Sequence, residues 1–151
     1  MARDRGASRS RQRARELLVK ALYQHQLTGH SVAELEAQFA ADPDFERCDR
    51  EYFKALLAAV VGNAASLDEL IARQASRSLE QLDVVGRAIL RLALAELKYR
   101  TDVPTNVVIN EAVELTKRYG AAESYRFVNA VLDKSAREMG ERVPAAGKTD
   151  A

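Results

Sequence analysis

Residues 52–71 read YFKALLAAVVGNAASLDELI, and the fold class turns on how their apolar side chains recur. Tyr52, Phe53, Leu56, Leu57, Val60, Val61, Ala64, Leu67, Leu70 and Ile71 follow one another at three- and four-residue steps. That spacing lines one face of an α-helix, and it predicts a long helix over about 49–73.

The same period extends in both directions. Upstream, Ala14, Leu17, Leu18, Ala21, Leu22 and His25 mark a helix from near Ser10 that ends at Gly29. Ser31 and Glu34 stand at capping-box spacing before a short helix with Val32, Leu35 and Phe39, which Asp42-Pro43-Asp44 stops. Downstream, Asp83 reads as the N-cap of a helix carrying Val85, Ile89, Leu92, Ala93, Glu96 and Leu97. Pro104 opens another with Val108, Ala112, Leu115 and Tyr119 inward, closed by Gly120. A last helix, about Ser124–Met139, packs Phe127, Val128, Val131 and Leu132. No segment alternates with period two, and three prolines and seven glycines are too few for a strand-and-turn architecture. The expectation is an all-α protein of about seven helices in two packed subdomains. Residues 1–8 are expected to be a disordered basic arm and 9–82 an N-terminal subdomain. Residues 83–139 then form a C-terminal subdomain, and 140–151 a disordered tail.

Formal net charge is only +1, but the charge is unevenly spread. Residues 1–20 hold seven Arg and Lys against two acids, a net of +5, leaving −4 on the rest. Six of the first fifteen residues are arginine. Arg9 and Arg13 are four apart, as are Arg11 and Arg15, so on a helix each pair shares a surface. Arginine forks onto phosphates and stacks on unpaired bases, and clustered cations gain from counterion release. The arm therefore points to a polyanion, although charge alone leaves RNA, DNA and an acidic membrane surface open. A solvated helix end is the plainer reading, and the near absence of compensating acids speaks against it.

Motifs of catalysis are missing. There is no Walker-type loop, no GxGxxG and no HExxH. His25 and His30 are five apart, with Cys48 remote and the only cysteine, so neither a metal site nor a disulfide is expected. His25 reads as a partly buried structural histidine. Glu96 reads as a buried carboxylate satisfied by an arginine or a helix N-terminus. No cofactor, metal or catalytic residue is assigned. No apolar run approaches the ~20 residues needed to cross a bilayer, and the basic N-terminus has no apolar stretch behind it. A cytoplasmic, non-enzymatic protein is the expectation.

Several blocks together resemble the NusB family of bacterial transcription antitermination factors. They are Arg13-Ala-Arg-Glu16 running into Ala21-Leu-Tyr23, Tyr52-Phe53 with Leu56-Leu57, and Ala88-Ile-Leu-Arg91 with Ala95-Glu-Leu97. Further along come Asp102-Val-Pro104, Val108-Ile-Asn-Glu-Ala112, Lys117-x-Tyr-Gly120 and Phe127-Val-Asn-x-Val-Leu-Asp-Lys134. The resemblance spans roughly residues 9–139. It implies two helical subdomains and pairing with NusE, a small-subunit ribosomal protein. It further implies binding to the boxA element of ribosomal RNA transcripts, and assembly with NusA, NusG and RNA polymerase.

The RNA-binding residues it implies are Arg9, Arg11, Arg13 and Arg15 on the arm, with Gln74, Arg77, Glu123, Arg126 and Phe127 on the body. The NusE-facing residues it implies are Tyr23 and Gly86, at the start of the fifth helix. Burial of Phe127 competes with base contact, since it lies at core spacing with Val131. Two departures stand out: Gly86 replaces an acidic residue that would meet NusE, and Gln74 replaces a stacking aromatic. The resemblance also admits a homodimer that buries the arm. Two alternatives remain. One is a module related to ribosomal RNA 5-methylcytosine methyltransferases, and the other is a helical adaptor that never touches RNA.

Overall fold

A computed structural model describes residues 2–75 and 79–140, with side chains from residue 6 onward. Among these residues there are seven α-helices and no strand. They are α1 (Ala2–Thr28), α2 (Val32–Ala40), α3 (Arg50–Gly62), α4 (Ala64–Gln74), α5 (Val84–Tyr99), α6 (Thr105–Tyr119) and α7 (Ser124–Met139). Single 3-10 turns lie at Pro43–Arg47 and Leu79–Gln81. The all-α expectation holds. No single helix among the described residues is long and apolar enough to cross a membrane.

The chain divides into two compact units, residues 1–62 and 63–151. In the first, α1 lies against α3, and α2 packs on both. Its core joins Leu17, Leu18 and Leu22 to Leu35, Phe39, Phe45 and the α3 residues Tyr52, Phe53, Leu56 and Leu57. Phe53 takes Phe45 edge-on at 5.6 Å and Phe39 at 6.0 Å between ring centroids, separations typical of favourable aromatic pairs. Gly29 ends α1 at φ 73°, a left-handed backbone that glycine adopts without strain. The expected capping box is present: the Glu34 N–H donates to Ser31 Oγ at 3.1 Å, and the Ser31 N–H donates to Glu34 Oε1 at 2.8 Å. The bond from the Ser31 N–H, with a further one from the Ser31 side chain, holds the Glu34 carboxyl below its ordinary pKa.

In the second unit α6 lies against α5 and α7, and α4 against α5 and α7. α5 is buried nearly all round, as an apolar helix must be. Arg91 grips Asp68 through two parallel bonds of 2.8 and 2.9 Å, which tie α5 to α4.

Three boundaries differ from the sequence reading. The first helix begins at Ala2 rather than near Ser10, so the segment expected to be disordered is helical. Arg and Ala are good helix formers and no proline interrupts them, which offsets the weaker Asp4, Gly6, Ser8 and Ser10. The single helix expected over 49–73 is two, broken at Asn63, where the backbone leaves the helical region at φ −124°, ψ 24°. The unit boundary accordingly falls between Gly62 and Asn63, not between 82 and 83. α4 belongs with the second unit because Leu67, Leu70 and Ile71 are buried on a helix that packs against α5 and α7. Residues 141–151, most of the expected tail, lie outside the described residues.

Candidate nucleic-acid interface

The arginines of α1 sort onto two surfaces, as their four-residue spacing requires. Arg9 is exposed and Arg13 half-exposed, and Lys20 is exposed further along the helix. Arg11 and Arg15 extend the stripe that holds Leu18 and Leu22, and so face the body of their unit. The Arg11 guanidinium lies 4.5 Å from the centre of the Tyr52 ring, and its Nε is 3.5 Å from Asp49 Oδ2. Arg15 stands 5.6 Å from the same ring and is only 3% exposed. Asp49 also accepts the Tyr52 N–H at 3.0 Å, so one carboxylate both starts α3 and holds Arg11. The four arginines expected on the arm thus have different surroundings. Arg9 and Arg13 are presented outward, Arg11 is shared with Asp49 and Tyr52, and Arg15 is a core residue.

Tyr23 is 41% exposed and Leu27, one turn on, 59%. They make an apolar pair on the outer face of α1, the kind of feature a protein partner covers.

In the second unit, Glu123, Arg126 and Phe127 gather at the start of α7. Glu123 takes a left-handed backbone (φ 70°), unusual for a residue with a side chain. Its carboxylate pairs with the Arg126 guanidinium and raises that group's pKa further. Phe127 is half-buried. Gln74 is not brought to this cluster. Its Nε2 donates to Glu138 Oε1 at 2.6 Å, near the far end of α7. Twelve residues of helix separate Arg126 from Glu138, or about 18 Å at 1.5 Å per residue. Arg77 lies outside the described residues.

Gly86, which the resemblance implied as NusE-facing, is buried. It occupies the first turn of α5, where its N–H donates to Asp83 Oδ2 at 3.1 Å. The same Asp83 accepts the Ser124 hydroxyl at 2.8 Å and the Ala121 N–H at 3.3 Å, fastening the start of α5 to the α6–α7 turn. A Cβ on Gly86 would stand 2.9 Å from both Asp83 Oδ1 and Leu82 Cγ. Gly86→Glu is therefore expected to destabilise the protein by about 1–3 kcal/mol, because overpacking displaces a cap rather than adding a surface carboxylate. Urea unfolding checks this, and an unchanged midpoint would show that Leu82 and Asp83 can move aside.

Among the described residues no group of three His, Cys, Asp or Glu side chains could hold a metal ion. Burial raises the pKa of the Cys48 thiol, which keeps it neutral and inert. His25 is half-buried, with Nδ1 2.8 Å from the His30 carbonyl, in the structural role expected of it.

Residues 12–137 match the NusB family. The chain belongs to the NusB family. It is 53% identical over 126 residues to the transcription antitermination protein NusB of Photorhabdus laumondii, covering 83% of this chain and 91% of that one. The namesake from Alcanivorax borkumensis is 50% identical over 130 residues, covering 86% and 87%. Among solved structures, T. maritima NusB superposes with a TM-score of 0.73 at 36% identity, over 84% of this chain and 90% of that one. A chain from the crystal structure of antitermination factors NusB and NusE in complex with dsRNA gives a TM-score of 0.77 at 29% identity, over 86% and 98%.

Within this NusB frame, one group escaped the sequence reading. Tyr119, expected in the core stripe of α6, is 45% exposed, and the Arg118 guanidinium lies 4.9 Å from its ring centre. Lys117 and Arg126 both approach the Tyr125 ring, at 5.0 and 5.4 Å. The alternation of cations and aromatics over residues 117–127 was the available signal.

Proposed function

We propose that this protein is a transcription antitermination factor that binds boxA RNA of ribosomal RNA transcripts together with NusE, and that it acts by binding rather than catalysis. The observation that carries the reading is the family match over residues 12–137, with relatives at about 50% identity that bear the antitermination name. The complex of NusB and NusE with dsRNA among the structural neighbours supports RNA and NusE as the partners. Arg9 and Arg13 supply sequence-independent attraction to phosphates, while the start of α7 supplies contacts that choose among bases. Tyr23 with Leu27 is the surface offered to NusE. Assembly with NusA, NusG and RNA polymerase follows in the cytoplasm, on the nascent transcript.

The test is a gel shift with boxA RNA and with a scrambled RNA of equal length, each with and without NusE. Tighter binding to boxA, strengthened by NusE, is expected. Equal affinity for both RNAs under both conditions would sink the reading.

A further inference from the structure

We propose that Tyr119 is a stacking platform for an unpaired RNA base, held ready by Arg118, and that it supplies the aromatic contact that Gln74 cannot. The inference rests on the reading that the protein binds RNA, and it adds a residue to that surface.

Among the described residues three cation–ring contacts lie within residues 117–126, joining Arg118 to Tyr119, and both Lys117 and Arg126 to Tyr125. Tyr119 is the exposed ring of the two, whereas Tyr125 is half-buried. The Arg118 Nη2 donates to the Tyr119 hydroxyl at 2.8 Å, which fixes the ring's direction as well as its charge environment. Burial does not explain the ring's position, because Leu115 and Thr116 already complete the inward face of this last turn. A flat ring with a guanidinium beside it suits a nucleotide: the base stacks on the ring while the cation meets the phosphate. An acidic peptide would use the cation and leave the ring idle.

Position matters as well. Gln74 offers no ring, and its amide is engaged with Glu138, about 18 Å along α7 from Arg126. Arg126 is itself paired with Glu123, which blunts its attraction for phosphate. Arg118 and Tyr119 set a cation beside an exposed π-face at this end of the unit.

The experiment measures binding of the full chain to a short single-stranded RNA carrying 2-aminopurine, and to the same strand annealed to its complement. Tyr119→Ala and Tyr119→Leu are each expected to weaken single-strand binding about tenfold and to abolish the fluorescence quenching of the probe. Tyr119→Phe keeps the ring and is expected to stay within about twofold. Duplex binding and the salt dependence should not change, since no charge is removed. Leucine preserves the apolar packing of the last turn, so a loss shared by both variants and restored by phenylalanine is not a folding defect. Unchanged single-strand affinity and quenching in both variants would overturn the stacking role while leaving RNA binding intact. Absence of RNA binding by the unaltered protein even with NusE present would overturn both readings.

Discussion

Arg15→Ala should lower the free energy of unfolding by about 2–4 kcal/mol while leaving the RNA affinity of the folded protein nearly unchanged. Sequence position would place this residue among the phosphate contacts. The structure puts it at 3% exposure, with its guanidinium 5.6 Å from the centre of the fully buried Tyr52 ring. Removing a desolvated cation–π contact forfeits about 2 kcal/mol. Deleting a long side chain also leaves a void between α1 and α3, and strips a charged partner from whatever polar groups it satisfies. Arg15→Lys should recover only part of the loss, because an ammonium cannot reproduce the planar guanidinium. Chemical denaturation gives the stability, and RNA titration under native conditions gives the affinity. A variant as stable as the parent but tenfold weaker for RNA would return Arg15 to the RNA surface.

The second large effect belongs to Arg9 and Arg13. The double variant Arg9→Ala with Arg13→Ala should weaken RNA binding about tenfold to a hundredfold at low salt. The slope of log affinity against log salt should flatten by about 1.4, the value for two phosphates on a single strand. Stability should stay within about 0.5 kcal/mol, since neither side chain is buried. Salt titration in parallel with denaturation separates this variant from Arg15→Ala: one loses affinity and keeps its fold, the other the reverse. An unchanged slope would mean that these two cations do not neutralise phosphates.

These two outcomes show where the sequence was readable and where it was not. Helical periodicity is a local property, so the stripes of α1, α3, α5, α6 and α7 could be read directly. The spacing of Arg11 and Arg15 was equally plain, but which way that face pointed depends on Tyr52, a residue distant in the chain. Asn63 was hidden because Val60, Val61, Ala64 and Leu67 keep the helical step across the break. With it went the unit boundary. Tyr119 continues the stripe of Val108, Ala112 and Leu115, yet it sits on the last turn before Gly120, where the core has run out. Gly86 looked like a missing surface carboxylate because a family resemblance compares positions, and position does not disclose that Asp83 and Leu82 close over it.

The continuous first helix has a consequence for heredity as much as for binding. An arm that folded only on its RNA would lose conformational entropy at every encounter. Here Arg9 and Arg13 stand on a helix already fastened by Asp49 and Tyr52, so that ordering is done once, when the chain folds. The constraint is thereby displaced in the gene. Codons for a carboxylate and a ring that need never meet a nucleotide fall under the same selection as those for the arginines that do.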